Sequence, residues 1–230
     1  MRLLLLPGMD GTGSQFDAFI AALGDACTVT VVRYPPNAAL GYRELEDIAR
    51  ACLPTAEPYV ILGESFSGPI AVSLAASAGP LLKGLILCAS FVKNPRPLLG
   101  GLRPLLGLVP LATPPSALLD PVLFGPFGNP RLRAQLAQAL AQVAPHAMRA
   151  RLQAVLEVDV SNRLRAVAVP LLYLQARQDR LVPASAGSLI RRLRPDTRFV
   201  QIDAPHLVLQ AVPEEGGRIV LAFLRQIGES

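Results

Sequence analysis

One stretch of the sequence decides the fold: YVILGESFSG, at residues 59–68. Its apolar run leads into a small-x-Ser-x-small pattern and then into helical spacing, which is typical of a sharp turn from a strand into a helix. A serine in such a strained turn needs small residues two positions before and after it, and Gly63 and Ser67 meet this demand. The usual final glycine is displaced by one position, to Gly68. The stretch predicts a nucleophile elbow at Ser65, although on these residues alone an ordinary glycine-containing turn stays open.

Two later loops supply the partners that a serine nucleophile needs, because an unassisted hydroxyl group reacts poorly. Asp179 follows the predicted strand 170–174, and His206 follows the predicted strand 198–202. The other histidine, His146, lies at the start of a predicted helix, where a solvated position is expected. We therefore expect His206 to be the base and Asp179 to be the supporting acid.

Two other carboxylates are rivals for the role of the acid. Glu64 adjoins the nucleophile and is expected to point away from it across the turn. Asp203 would have to reach its near neighbour His206 around Pro205. Asp179 remains the expected acid, and it gives the order Ser, Asp, His along the chain.

The loop after the first predicted strand, PGMDGTG at residues 7–13, is rich in glycine. Acyl transfer by a serine needs backbone N–H donors for the oxyanion of the tetrahedral intermediate. Beside a nucleophile elbow, one donor belongs to the residue after the serine, and the other belongs to a loop after an early strand. We therefore expect the N–H groups of Phe66 and Met9 to form the oxyanion hole.

Four segments together resemble the α/β-hydrolase superfamily: the elbow, the loop at residues 7–13, DRLVP at residues 179–183 and DAPH at residues 203–206. The layout is similar to that of small capped bacterial carboxylesterases, including pimeloyl-carrier-protein methyl ester esterases. Pro7-Gly8 stands where these families often carry His-Gly. The resemblance implies hydrolysis of a small-molecule carboxylic ester by a Ser-His-Asp triad. It also implies that two N-terminal strands of the family are missing, so a sheet of about six strands is expected.

Short apolar runs alternate with segments of helical spacing, which predicts an α/β fold with a mostly parallel sheet flanked by helices. The predicted strands, whose continuous apolar character indicates burial on both faces, are 2–6, 28–33, 59–62, 84–88, 170–174 and 198–202. The predicted helices are 15–23, 42–52, 67–78, 184–193 and 213–226. The alternation breaks once, so we expect a core of residues 1–90 and 166–230 and an inserted helical cap of residues 91–165.

The predicted cap is rich in leucine and proline and would cover the sheet edge from which the nucleophile emerges. We expect Leu119, Leu123 and Phe124 to contact the acyl group of the substrate, with mutual burial of the cap residues as the alternative. Other apolar cap residues considered with them are Leu105, Leu108, Leu111, Leu118 and Val122. Four cap arginines could bind an acidic carrier protein or a carboxylate-bearing substrate, although a solvated helix face explains them more simply: Arg131, Arg133, Arg149 and Arg151.

Composition limits the class of protein and its compartment. A chain of 230 residues fits one catalytic domain, and its charge of +5 comes from scattered arginines without interleaved aromatic residues, which does not favour nucleic-acid binding. Pro7 and Gly8 cut the apolar start short of a secretory signal, so a cytoplasmic protein without a membrane span is expected. Cys27, Cys52 and Cys88 lack motif spacing and lie in apolar stretches, so three buried free thiols are expected.

Three other functions stay open. A thioesterase acting on carrier-protein or coenzyme A thioesters would use the same triad. A dinucleotide-binding protein would need a glycine where Phe16 stands and an acidic residue after the strand that ends at Arg33. A non-catalytic protein on this fold would not need every triad role to be filled. Without paired cysteines or a Gly-Lys-Ser/Thr loop, the sequence predicts neither a metal nor a cofactor.

Overall fold

A computed structural model describes residues 1–97 and 116–228, with side chains for residues 1–97 and 120–228. The strands are β1 Arg2–Leu6, β2 Thr28–Val31, β3 Tyr59–Glu64, β4 Leu82–Cys88, β5 Leu171–Ala176 and β6 Arg198–Ile202. The helices of the described ranges are α1 Asp17–Leu23, α2 Tyr42–Ala51, α3 Gly68–Ala76, α4 Ser116–Leu123, α5 Pro130–Ala141, α6 Pro145–Glu157, α7 Ser161–Ala166, α8 Ala184–Leu193, α9 Val208–Ala211 and α10 Pro213–Gly228. The strands form one parallel sheet in the order β2-β1-β3-β4-β5-β6, which confirms the expected α/β architecture.

The position of a strand in the sheet decides how deeply it is buried. Every residue of the central strand β3 is buried, because helices cover both faces there. The edge strands β2 and β6 are largely half-buried or exposed, so the expectation that every strand is buried on both faces is wrong for them. Each of these two strands has a neighbour on one side only. β3 also continues two residues beyond the predicted Leu62, to Glu64, and therefore ends directly at Ser65.

Side chains alternate between the two faces of the sheet and build an apolar cluster on each. Leu4 and Ile61 pack on the face that α2 and α3 cover. Leu3 packs on the other face with Phe19 of α1 and Phe223 of α10. Truncation of a buried phenylalanine such as Phe19 to alanine costs about 3–5 kcal/mol of unfolding free energy. These clusters fix the ends of the strands, from which the site residues extend.

The chain forms α4 to α7 between β4 and β5, in the segment that the sequence predicts to be a cap. Asn129 caps α5 as its Asn-Pro pair indicates, because its Oδ1 accepts the backbone N–H of Leu132 at 2.9 Å. Leu164 of α7 is fully buried in the cluster on the α3 face, so the last helix of this segment packs on the sheet layer. The described residues exclude Leu105, Leu108 and Leu111, and the described side chains exclude Leu118 and Leu119.

Two expectations about burial can be compared with the structure. Cys88 is buried in β4 as predicted, but Cys27 is half-buried and Cys52 is exposed. The prediction of three buried thiols is wrong for these two, because Cys52 follows the last turn of α2, where the helix end meets solvent. In residues 1–97 and 116–228, no helix is both long enough and apolar enough to cross a membrane.

Candidate active site

Ser65 lies in the turn between β3 and α3 with φ = 48°, a left-handed conformation that is unfavourable for a residue with a side chain. Close packing leaves room only for glycine on either side of the turn. A Cβ atom at Gly63 would lie 2.7 Å from the Cβ of Ala71, and a Cβ atom at Gly68 would collide with the Ser90 hydroxyl. The displaced glycine of the motif therefore stands where this turn requires one.

The serine at the second small position has partners of its own. Ser67 is fully buried, and its hydroxyl donates to the carbonyl oxygen of Pro7 in the loop after β1. The Ser67 Oγ also lies 2.8 Å from the hydroxyl oxygen of Tyr34. Ser67 thus ties the elbow to the glycine-rich loop. The sequence pattern identified Ser67 only as a small residue, because Pro7 is 60 positions away along the chain.

The structure brings the three predicted triad residues together at the carboxyl edge of the sheet. Ser65 follows β3, Asp179 follows β5 and His206 follows β6. The Ser65 Oγ lies 2.8 Å from the His206 Nε2, and the His206 Nδ1 lies 2.8 Å from the Asp179 Oδ2. The side chains of His206 and Asp179 are only 2% and 6% exposed, so water barely competes for these hydrogen bonds. In the tautomer with a proton on Nδ1, the Nε2 lone pair faces the serine hydroxyl.

The two carboxylates after β5 and β6 occupy different environments. The Oδ1 of Asp179 accepts the backbone N–H groups of Leu181 and Val182, each at 2.8 Å, which leaves Oδ2 for His206. Asp203 instead accepts a hydrogen bond at 2.9 Å from the side-chain amide of Gln178. The geometry therefore favours Asp179 over Asp203 as the partner of the imidazole.

The glycine-rich loop at residues 7–13, called here the oxyanion loop, turns sharply beside the nucleophile. The N–H of Gly11 donates to the Gly8 carbonyl oxygen at 3.0 Å, and the Gly11 carbonyl oxygen accepts the N–H of Tyr34 at 2.8 Å. Gly11 and Gly13 have φ angles of 69° and 73°. Met9 borders two cavities together with Ser65. Met9 and the buried Phe66 both border the cavity of about 240 Å³ with Ser65, and their role as oxyanion donors stays a prediction.

Glu64 is placed differently from the expectation that it points away from the nucleophile. Its side chain is buried and borders the cavity that Ser65 and His206 also line. The amide of Gln210 donates to the Glu64 Oε1 at 3.0 Å. The pKa of the Glu64 carboxyl is raised to about 7, chiefly because the group is buried; the Gln210 hydrogen bond opposes this shift, and the nearby Asp10 carboxylate adds to it. No local sequence pattern predicts this placement, because Gln210 is 146 residues away.

Two apolar cavities adjoin Ser65, and they share Met9, Leu152 and Leu181 as walls. The first, of about 240 Å³, lies against Phe66. The other residues of its wall are Phe91, Asn94, Pro95, Arg96, Val155, Leu156 and Val182. The second, of about 290 Å³, borders His206 and Glu64. Apolar side chains from the predicted cap complete its wall: Val122, Leu123, Leu136, Leu140, Val143 and Met148.

The predicted substrate contacts fall in three different places. Leu123 lines the cavity beside His206. Phe124 is fully buried behind that wall, in a cluster with Leu132 and Leu136, so its side chain supports the cavity instead of lining it. The Leu119 side chain lies outside the described residues. Mutual burial of cap residues, the alternative considered from the sequence, describes Phe124 fully, whereas Leu123 packs against the same cluster and also lines the cavity.

The simple interpretation of the cap arginines as a solvated face is wrong for one of them. Arg131 is exposed, Arg149 is half-buried, and the exposed Arg133 forms an ion pair with Asp120 at 2.7 Å. Arg151 is fully buried, because α6 turns its side chain inward to backbone carbonyl oxygens of the oxyanion loop.

The second histidine, His146, takes no part in the hydrogen-bonded series from Ser65 to Asp179. His146 is exposed at the first turn of α6, and its Nε2 lies 2.7 Å from the carbonyl oxygen of Asn37. In the part of the chain that the structure describes, no three histidine, cysteine or acidic residues are grouped as a metal site would need. The arrangement of Ser65, His206 and Asp179 fits nucleophilic catalysis by a serine hydroxyl.

Comparison with solved structures supports this fold over almost the whole chain. An esterase from Thermogutta terrifontis superposes with a TM-score of 0.85 at 22% identity, covering 99% of this chain and 90% of the other. A structure from a study of carboxylesterases of Nitrososphaera gargenis gives 0.84 at 17% identity, covering 99% and 91%. An enol-lactonase from Burkholderia xenovorans gives 0.79 at 16% identity, covering 97% and 91%. At these identities the likeness concerns the fold alone.

Comparison at the sequence level gives two results. No curated protein sequence matches this chain. The model of the alpha/beta hydrolase family matches residues 3–216, a range that includes the elbow, the oxyanion loop and both loops that carry Asp179 and His206. The chain therefore belongs to the alpha/beta hydrolase family.

Proposed function

We propose that this protein is a serine hydrolase that cleaves carboxylic esters of apolar acyl groups through an acyl-enzyme intermediate. The observation that carries the proposal is the continuous hydrogen-bonded series from Ser65 through His206 to Asp179, with both distances at 2.8 Å. The names esterase and enol-lactonase of the matched structures support the same class of reaction.

The proposed reaction has two steps that use the same groups. In the first, the Ser65 Oγ attacks the ester carbonyl carbon while the His206 Nε2 takes the hydroxyl proton. The N–H groups of Met9 and Phe66 would stabilise the oxyanion, and His206 then gives its proton to the leaving alcohol oxygen. In the second step, water attacks the acyl carbon while His206 again takes the proton; the bond between that carbon and the Ser65 Oγ then breaks, and His206 returns the proton to the serine oxygen as the carboxylic acid leaves. Asp179 keeps the imidazole in the reactive tautomer throughout.

The two cavities suggest how the ester is oriented. The leaving oxygen must lie beside His206, because this residue protonates it. His206 borders only the cavity of about 290 Å³, so the alcohol part of the ester is assigned to that cavity. The acyl part then occupies the cavity of about 240 Å³ against Phe66. On this assignment, Leu123 contacts the alcohol part and not the acyl part that the sequence suggested.

Hydrolysis of p-nitrophenyl esters from acetate to palmitate tests the proposal directly. We expect kcat/KM to rise with acyl length until the first cavity is filled, because each buried methylene adds about 0.8 kcal/mol. Ser65→Ala should lower kcat by at least about 10⁴-fold, since triad members act as a unit. Ser188→Ala on α8 is the matched control, because its hydroxyl contacts only its own helix, at the Ala184 carbonyl oxygen. Turnover that persists in Ser65→Ala would contradict the proposal.

Matched oxygen esters and thioesters of one acyl group separate the proposed activity from the thioesterase alternative. The triad can attack both, so the leaving group decides the preference. We expect the oxygen ester to be the better substrate. A thioester preference that is lost in Ser65→Ala would keep the mechanism and change the substrate class.

A further inference from the structure

Arg151 of α6 is the largest side chain that the described structure buries completely. A guanidinium group that leaves water loses several kcal/mol of hydration unless it finds partners. The Nη1 of Arg151 donates to the carbonyl oxygens of Met9 and Asp10, both at 2.8 Å, and its Nη2 donates to that of Pro35 at 3.0 Å. All three acceptors belong to the backbone, and two of them lie in the oxyanion loop.

These two hydrogen bonds hold the middle of the oxyanion loop, while other groups hold its ends. The Pro7 carbonyl accepts from Ser67, and the Gly11 carbonyl accepts from the N–H of Tyr34. Both of those donors belong to the sheet side of the molecule. Arg151 reaches the carbonyls between them from the segment inserted after β4. The loop is thus held both by residues that follow core strands and by the inserted segment.

The Met9 N–H belongs to the peptide group that joins Gly8 to Met9, and its placement also depends on where the Met9 Cα is held. The peptide group before Met9 is fixed by the hydrogen bond from Gly11 to the Gly8 carbonyl. The peptide group after Met9 is fixed by Arg151. The other predicted donor is the N–H of Phe66, and its peptide group is held by the Ser90 hydroxyl, which donates to the Ser65 carbonyl oxygen at 2.5 Å. The Tyr42 hydroxyl holds the next peptide group, because it donates to the Phe66 carbonyl at 3.0 Å. An oxyanion donor acts only when it lies about 2.7–3.1 Å from the developing charge, so this fixation matters.

We infer that Arg151 is a positioning residue that fixes the oxyanion loop from the inserted segment and so aims the Met9 N–H at the oxyanion. The inference rests on the proposed hydrolysis at Ser65. The next residue of α6, Leu152, borders both cavities. One helix therefore contacts the substrate space and also holds the loop that stabilises the transition state.

Two inhibitors separate this role from a contribution to folding alone. An alkyl trifluoromethyl ketone adds the Ser65 Oγ to its carbonyl carbon, His206 takes the serine proton, and the carbonyl oxygen becomes an oxyanion. The methyl ketone of the same chain length adds far less readily and reports binding without the oxyanion. We expect Arg151→Met to raise the inhibition constant of the trifluoromethyl ketone roughly ten- to a hundredfold. The inhibition constant of the methyl ketone should change by less than about threefold. The kcat for an ester should fall by the same factor as the trifluoromethyl ketone affinity, with KM little changed.

Arg194→Met is the matched control. Arg194 is also buried and also donates to backbone carbonyls, those of Val167 and Val169, but neither cavity beside Ser65 includes these residues. This variant should lower the melting temperature and leave the ratio of the two inhibition constants unchanged. Arg151→Lys should restore part of the ratio, and it carries the test if the Met variant does not fold.

The outcomes are distinct. An unchanged ratio in a folded Arg151 variant, beside an active wild-type protein, overturns the inference and leaves the proposed function standing. Equal weakening of both ketones overturns it as well, because it would indicate a change in the cavities. A wild-type protein without Ser65-dependent turnover contradicts the proposed function and, with it, this role of Arg151.

Discussion

The nucleophile elbow and the loops around it hold their functional groups in different ways. The elbow is held by close packing, since Gly63 and Gly68 leave no room for a methyl group against Ala71 and Ser90. The loops are held by hydrogen bonds, such as the one between Asp179 and His206. Repulsion between packed atoms rises steeply when they overlap by a fraction of an ångström, so an added methyl group must displace its neighbours. A substitution can instead remove one hydrogen bond and leave the others in place. Substitutions in the two regions should therefore act on different quantities.

The largest effect is expected in a hydrogen-bonded loop, from Asp179→Asn. The new amide keeps an acceptor for the N–H groups of Leu181 and Val182, so the loop should fold. It presents an N–H to His206 and so favours the tautomer that cannot take the serine proton, with a loss of about 10⁴ in kcat. Asp203→Asn is the control and should change kcat by less than about threefold. The reverse order of the two variants would make Asp203 the acid.

The packed elbow is tested by Gly68→Ala. The added methyl group would collide with the Ser90 hydroxyl, which donates to the Ser65 carbonyl oxygen, so the elbow itself must move. We expect a loss of about 1–3 kcal/mol of unfolding free energy. We also expect about a hundredfold loss of kcat, because displaced reacting groups are this costly. At Gly79 a Cβ atom would meet nothing within 4 Å, so Gly79→Ala should be neutral in denaturant unfolding and in activity. Equal effects of the two substitutions would show that close packing at Gly68 does not hold the elbow.

A smaller effect is expected where the elbow and the oxyanion loop are joined, from Ser67→Ala. This change leaves the buried Pro7 carbonyl without the Ser67 donor. We expect kcat to fall about tenfold, which corresponds to about 1.4 kcal/mol and lies within the range of one lost hydrogen bond. Tyr34→Phe removes the other partner of the Ser67 hydroxyl. Because the two residues share one network, the double variant should lose less than the sum of the single losses. Strict additivity in this cycle would show that Ser67 and Tyr34 act independently.

The smallest effect on turnover is expected from Glu64→Gln, which acts on stability instead. The folded-state pKa of Glu64 is about 7, above its ordinary value of 4.5, so between these values the folded protein binds more protons than the unfolded chain. Stability therefore falls as pH rises through this window. Glutamine does not titrate, so the unfolding free energy of Glu64→Gln relative to wild type should increase from pH 4.5 to pH 8 by at most on the order of 3 kcal/mol. Urea unfolding of both proteins at the two pH values measures this difference. A difference that is the same at pH 4.5 and pH 8 would contradict the raised pKa of Glu64.

The same contrast explains what the sequence could predict. The elbow, the order Ser65, Asp179 and His206, and the six strands follow from local patterns, because glycine positions and apolar periodicity act over a few residues. Arg151 was expected on a solvated face, yet its acceptors Met9 and Asp10 lie 142 and 141 residues away. Such contacts depend on how the inserted segment packs on the sheet. No local pattern encodes them.

A second group of predictions was wrong because hydrophobicity alone was used to predict where a side chain lies. Phe124 and Leu123 are adjacent apolar residues in one segment, but one is buried behind the cavity wall and the other lines it. Cys52 follows an apolar helix face and is nevertheless exposed. Hydrophobicity predicts that a side chain leaves water, and the rotation of its helix decides which apolar surface it meets.

The hydrogen bond between Gln210 and Glu64 has a consequence for how the protein opens. It joins α9, just after His206, to Glu64, the last residue of strand β3. If this segment opened alone, it would leave the buried Glu64 carboxyl without its donor and uncover the apolar residues Val208 and Leu209. Native-state hydrogen exchange should therefore give the amides of α9 protection close to that of β3. The short segment between β6 and α10 would then open only together with the centre of the sheet, as one cooperative unit.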